Sequence, residues 1–207
     1  MTRHSHPKAV LVPFAPPTPD GGLKQPPAAV PALFRQAFTA DHPWFAVDAL
    51  PWPVPSHSLS WLRNRGSLTL RLQQHVSPTL AVRVLSQRWG QPTTAEQNFL
   101  SPCDCTPAII REVILSCHHS DMVYARTVFP RATVEGKNQQ LASLNDRPLG
   151  SFLFAQKKVC RGPIELTRVT GDRGENVWAR RSCFTVNGQK LAVYEFFLSG
   201  MQWQEEP

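Results

Sequence analysis

Arg180 and Glu195 are two ions of opposite charge set where the sequence leaves them little water. The stretch ENVWARRSCFTVNGQKLAVYEFFLSG, Glu175 to Gly200, holds two alternating runs about Asn187-Gly188. That dipeptide best accommodates positive φ at both centres of a type I′ turn, so the stretch reads as a β-hairpin. If Val186 faces Gln189, then Phe184 faces Leu191, Ser182 faces Val193, Arg180 faces Glu195 and Trp178 faces Phe197, and opposed residues share a sheet face. One face is then aromatic and aliphatic with Arg180 and Glu195 in its midst, while Arg181, Tyr194, Thr185 and Lys190 take the other.

A second apolar strand carries the same kind of intruder. In IIREVIL, alternation puts Arg111 with Ile109, Val113 and Leu115, and Glu112 with Ile110 and Ile114. Arg126 of YARTVFP shares the face of Arg111 if the turn at His118 to Asp121 is even in length, and lies opposite if it is odd. Ions on an apolar face are costly unless they are paired or meet a charged ligand. Two readings follow. Arg180 and Glu195 form a buried salt bridge and nothing more, or the excess of guanidinium charge is a site for a small anion with an apolar body. In the second, arginine offers bidentate pairing to a carboxylate and Glu195 accepts a hydrogen bond from the same ligand.

Other constellations carry less. Cys103-x-Cys105 with Cys117-His118-His119 lacks the spacing of a structural zinc site and reads as ordinary cysteines beside a polar turn, so no metal is expected. VTGDRGENVW lacks the strand-to-helix setting of a phosphate loop and reads as a turn. No Ser-His-Asp or nucleophilic cysteine arrangement is legible, and the histidines at 4, 6 and 57 read as solvated.

The elements that must position these residues fit one domain of 207 residues, 42% hydrophobic and 18% charged. Twelve of the twenty prolines fall in residues 1–55, which the sequence presents as an extended or disordered arm ahead of a folded part over 56–207. SHSLSWLRNRGSLTLRLQQHV suits two short helices broken at Gly66, with Ser67 capping the second, although L-x-L-x-L from Leu68 also suits a strand. TLAVRVLSQRWG reads as a strand, AIIREVILSC and MVYARTVFP as a hairpin, and GKNQQLASLNDRPLGSFLFAQ as two helical pieces, the second opening at Pro148. KKVCRGPIELTRV returns to strand. Adjacent antiparallel strands with helices grouped between them indicate an α+β fold with one sheet faced by helices.

Charge and composition narrow the partners. A net charge of +7 and a pI near 9.5 admit nucleic acid, an anionic surface or a small anion. The longest basic runs are the pairs Lys157-Lys158 and Arg180-Arg181, without a nucleic-acid-binding motif around them, so no nucleic-acid partner is expected. No apolar run approaches a membrane span, and prolines interrupt the N-terminal stretch where a signal peptide needs a continuous apolar helix. Five cysteines without framework spacing fit reduced thiols in the cytoplasm.

In order, WLRNRGSLT, IIREVIL, ARTVFP, RPLGSFLF, WARRS and YEFFL strongly resemble the bacterial chorismate pyruvate-lyases, from about Trp61 to Leu198. The resemblance implies a single antiparallel sheet with packed helices and a small buried pocket under helical flaps. It implies conversion of chorismate to 4-hydroxybenzoate and pyruvate for ubiquinone synthesis, without metal or organic cofactor, by a monomer. By the same resemblance, Arg111 binds the ring carboxylate, Glu195 the 4-hydroxyl and Leu149 the ligand through its main chain. Leu68 touches the ring where a methionine is familiar, and it favours helix over strand for L-x-L-x-L. Chorismate is a dianion, and a second cation is needed for its enolpyruvyl carboxylate: Arg126 is the first candidate and Arg180 the second. The fold also resembles the effector-binding domains of one group of bacterial repressors, but the arm is too rich in proline for their three N-terminal DNA-binding helices, which counts heavily against that reading; the alternative to the lyase is a non-catalytic protein of the same fold that binds a small aromatic carboxylate.

Overall fold

The computed structural model describes residues 32–76, 78–101, 104–170, 174 and 176–201. Its strands are β1 (Phe45–Ala46), β2 (Leu80–Gly90), β3 (Ala108–Cys117), β4 (Ser120–Pro130), β5 (Val159–Thr170), β6 (Asn176–Val186) and β7 (Gln189–Phe197). All pair antiparallel in one sheet of order β1-β5-β6-β7-β4-β3-β2. The helices are α1 (Ser56–Arg63), α2 (Leu68–His75), α3 (Thr94–Leu100) and α4 (Leu149–Ala155), with short 3-10 segments that include Ala32–Phe38 and Gly136–Ser143. None is long and apolar enough to cross a membrane. This is the expected α+β architecture.

The hairpin from which the sequence argument starts has the expected register throughout, Val186 to Gln189 through Trp178 to Phe197, with Arg180 opposite Glu195. Asn187 and Gly188 carry φ of 51° and 85°, the positive values that this turn demands. Ser67 caps α2 as expected, its side chain accepting from the Leu70 amide. Helix α3 was not anticipated: Thr93 and Glu96 close a capping box ahead of only seven residues, too short for the apolar period to register.

The arm differs from expectation. Residues 1–31, where it begins, lie outside the described residues, but parts of 32–55 pack on the sheet, while 39–55 stay exposed or half-buried. Phe34, Ala37 and Phe38 are buried, and Phe34 stacks on Tyr124 at 4.9 Å between centroids and packs against Phe196 at 4.6 Å. β1 then adds an edge strand through Phe45 to Leu166 and Ala46 to Glu165. A proline count averaged over 55 residues conceals the apolar ALFRQAF run, which lies between Pro31 and Pro43 and covers the aromatic underside of the sheet. The turn read in VTGDRGENVW joins β5 to β6, and most of its central residues lie outside those described.

Candidate active site

The face of the sheet that carries Arg180 and Glu195 is roofed by two helical flaps. A cavity lies between, floored by Val113, Leu115, Ala125, Thr127 and Val193 and closed by Gly66, Leu68 and Thr69 on one side and Pro148, Leu149, Gly150 and Leu153 on the other. The flaps meet at Gly150, where a Cβ would stand 2.6 Å from Ser67 Oγ. Glycine there allows α4 to start directly against the cap of α2. Among the described residues lining this cavity the charged ones are Arg111, Arg161 and Glu195.

Arg111 is 2% exposed. Its Nε donates to Gln87 Oε1 at 3.1 Å, and Nη2 donates to the carbonyls of Asn145 and Arg147 at 2.7 and 3.2 Å. These bonds fix the plane of the guanidinium and leave Nη1 outside them. Burial pushes its pKa down to about 10, with Asp146 working the other way, so the group stays charged at neutral pH.

At the far side of the cavity Arg180 donates from Nε to Glu195 Oε2 at 2.5 Å, and from Nη1 to the carbonyls of Trp61 and Asn64 at 2.9 Å each. It thus satisfies the exposed carbonyl end of α1 and anchors that flap to the sheet. Arg180 itself is fully buried behind Glu195 and does not line the cavity. Arg161 does: Nη2 lies 3.6 Å from Glu195 Oε2, Nε donates to Ser182 Oγ at 2.9 Å and Nη1 to the Asn64 carbonyl at 3.2 Å. Burial first, then the charges of Arg180 and Arg65, outweigh the pull of Glu195 and bring the Arg161 pKa down to about 10. Burial also opposes ionisation of Glu195, but the two guanidinium charges and the bond from Arg180 win, holding its carboxyl below the usual range. Both arginine contacts fall on Oε2.

Arg161 is the residue that sequence reasoning missed, and a bulge is why. Ile164 pairs with Ser182, and a strand continued without interruption would bring Gly162 opposite Phe184; instead Arg161 takes that position. The extra residue at Gly162-Pro163 flips the alternation and turns Arg161 from the outer face onto the cavity face. Gly162 also admits close approach, since a Cβ there would lie 3.1 Å from the Cys183 carbonyl. The Gly-Pro pair inside a strand pattern was the available signal.

Arg126 moves the opposite way. The turn at His118-His119 is even, which alone would set Arg126 against Arg111, but Leu115 pairs with Val123 while Ser116 pairs with Asp121, so Met122 is extra. Arg126 consequently opposes Glu112 on the underside and does not line the cavity. There it donates to Glu96 from Nε and Nη2 at 2.7 and 3.1 Å, and to Glu112 from Nη1 at 3.0 Å. Its expected place against a substrate carboxylate is therefore corrected: it lies across the sheet, paired with two glutamates. Leu68, Leu149, Arg111 and Glu195 all line the cavity. Of the cysteine and histidine positions considered for zinc, Cys103 lies outside the described residues, and among those described no three His, Cys, Asp or Glu side chains gather to hold a metal.

The family model described as chorismate lyase matches residues 39–206. A "probable chorismate pyruvate-lyase" of Methylococcus capsulatus is 35% identical over 150 residues, 67% of this chain and 93% of that protein. The chorismate pyruvate-lyase of Sodalis glossinidius is 38% identical over 151 residues, 71% of this chain and 80% of its own. Among solved structures, a GntR-family transcriptional regulator from Enterococcus faecalis superposes with a TM-score of 0.43 at 16% identity, over 61% of this chain and 99% of that one. With its sequence matched from Thr39 nearly to the C-terminus, the chain belongs to the chorismate lyase family.

Proposed function

We propose that the protein is a chorismate pyruvate-lyase that converts chorismate to 4-hydroxybenzoate and pyruvate for ubiquinone synthesis, acting in the cytoplasm as a monomer with no cofactor. The observation that carries this reading, beside family membership, is the pairing of Arg111 and Glu195 across one apolar cavity. Arg111 receives the ring carboxylate on Nη1. Glu195 accepts the 4-hydroxyl on Oε1, the oxygen outside the arginine contacts. As the first residue of α4, Leu149 has an amide with no acceptor inside its helix and offers it to the ligand, while Leu68 packs on the ring. Leucine in place of methionine keeps volume and polarity and tunes packing.

The reaction asks little of side-chain chemistry. The C3–O bond breaks with its electrons passing to the enolpyruvyl oxygen, hydrogen leaves C4, and the ring becomes aromatic. The enolpyruvyl methylene gains a proton to become the methyl of pyruvate, and no water is consumed. Binding the reactive conformer in a dry cavity supplies much of the rate. The C4 hydrogen passes either to a base or directly to the methylene in a cyclic transition state. A carboxylate held ionised by two guanidinium groups is a weak base, which favours direct transfer, with Glu195 as an acceptor that orients the substrate. Glu195→Gln is accordingly expected to lower kcat by no more than about tenfold. Near-complete loss of turnover with 4-hydroxybenzoate still bound would restore Glu195 as the base.

The same charges set the pH response. Glu195 stays ionised as pH falls toward its depressed pKa, and Arg111 and Arg161 stay charged until pH approaches about 10. The kcat/KM profile, which reports the free enzyme and free substrate, is therefore flat through neutrality, with an alkaline limb near 10 and an acid limb set by the substrate's own carboxylates before Glu195 protonates. An inflection near neutrality would place a different group in control.

The direct test is incubation of purified, chelator-treated protein with chorismate while both products are followed. Equimolar 4-hydroxybenzoate and pyruvate are expected. Tight 4-hydroxybenzoate binding without turnover would make the protein a ligand-holding relative instead.

A further inference from the structure

We infer that Arg161 is the residue that receives the enolpyruvyl carboxylate, so that the bulge at Gly162-Pro163 completes the substrate site. The inference rests on the lyase reading and deepens it. Chorismate brings two carboxylates into the cavity, and the cavity presents two arginines and one glutamate. One arginine, Arg111, is on β3; Glu195 is on β7; Arg161 is on β5, so the strand order sets the glutamate between the two cations. Arg111 and Arg161 stand four strand spacings apart, about 19 Å at the backbone. Both side chains line the cavity, Arg161 carrying Nη2 to within 3.6 Å of Glu195, beside which the ring hydroxyl lies in this reading. The C3 side chain of such a ring, adjacent to the hydroxyl-bearing carbon, then extends toward β5.

The other cations are less suited. Arg126 is on the opposite face with two carboxylates of its own. Arg180 spends Nε on Glu195 at 2.5 Å and Nη1 on the carbonyls of α1, and although its Nη2 is buried without a partner, the residue does not line the cavity. Arg161 reaches Glu195 only at 3.6 Å, and its neighbour Arg180 already occupies that carboxylate, so its charge is incompletely answered by the protein. A buried guanidinium in that position is relieved by an incoming carboxylate. Arg161 also holds the carbonyl of Asn64 in the turn between α1 and α2, which couples the arrival of this carboxylate to the flap. After pyruvate departs, 4-hydroxybenzoate keeps no group for Arg161, which separates its role from that of Arg111.

That separation is the experiment. Wild type, Arg161→Met and Arg161→Lys are assayed for kcat and KM with chorismate, and for 4-hydroxybenzoate affinity by calorimetry. Arg161→Met is expected to lose about 100-fold or more in kcat/KM while 4-hydroxybenzoate binds within about threefold of wild type, with Arg161→Lys recovering part of the loss. A methyl ester of the enolpyruvyl carboxylate lowers kcat/KM in wild type but adds no further loss to Arg161→Met. Chorismate turnover within about threefold of wild type would overturn the inference. So would parallel loss of 4-hydroxybenzoate affinity, which would mean that Arg161 only holds Glu195 and the flap. Absence of products from the wild type would instead sink the lyase reading itself.

Discussion

Arg111→Ala lowers kcat/KM for chorismate by about two to three orders of magnitude and weakens 4-hydroxybenzoate binding by a similar factor. The size follows from the surroundings. Arg111 is buried, and its guanidinium is held by Gln87 and two carbonyls before any ligand arrives, so a carboxylate meets a preorganised donor pair rather than a mobile side chain. Removing the guanidinium leaves the ligand's carboxylate desolvated and unpaired on an apolar floor. The same change frees three acceptors and costs about 1–3 kcal/mol of stability, which urea denaturation would separate from the binding loss. Because product and substrate share the ring carboxylate, both affinities fall together. Were 4-hydroxybenzoate to bind normally to the variant, the ring carboxylate would belong to Arg161 and the substrate would lie in the cavity the other way round.

What the sequence made legible was whatever a strict period of two could carry. The β6–β7 register follows from Asn187-Gly188 alone, and with it the partnership of Arg180 and Glu195. Arg111 falls on the cavity face because β3 alternates with no extra residue between Ala108 and Leu115. Each misjudgement at the site has the same physical source. A single extra residue reverses every side chain beyond it, at Met122 carrying Arg126 away from the cavity and at Gly162-Pro163 turning Arg161 into it. The two-residue turn at His118-His119 is even, as the expected facing requires, and the bulge beside it reverses the outcome. Arg180 and Glu195 form the buried salt bridge of the first reading, and Glu195 also lines the cavity, which is the geometry that the second requires. The packing of 32–55 was hidden differently, by composition averaged over a segment whose apolar run is only seven residues long.

The underside of the sheet supplies the largest expected effect on stability. Arg126→Met destabilises the fold by about 3–5 kcal/mol, a large part of what holds a domain of this size together. Arg126 bridges Glu96, which fixes the start of α3 through its bond from the Thr93 amide at 2.8 Å, and Glu112, which also accepts from the Tyr124 hydroxyl at 2.6 Å. Both carboxylates are wholly buried. Take away the guanidinium and two anions remain in an aromatic layer built from Phe38, Tyr124 and Tyr194, without their ion-pair partner among the described residues. A lower urea midpoint at unchanged m-value is the expected signature, and Glu112→Gln added to the variant recovers part of the loss because it removes one of the stranded charges. The folded fraction keeps kcat/KM for chorismate within about threefold, since the cluster faces away from the cavity. A fall of about a hundredfold in kcat/KM at undiminished stability would return Arg126 to the substrate and with it the parity that the Met122 bulge reverses.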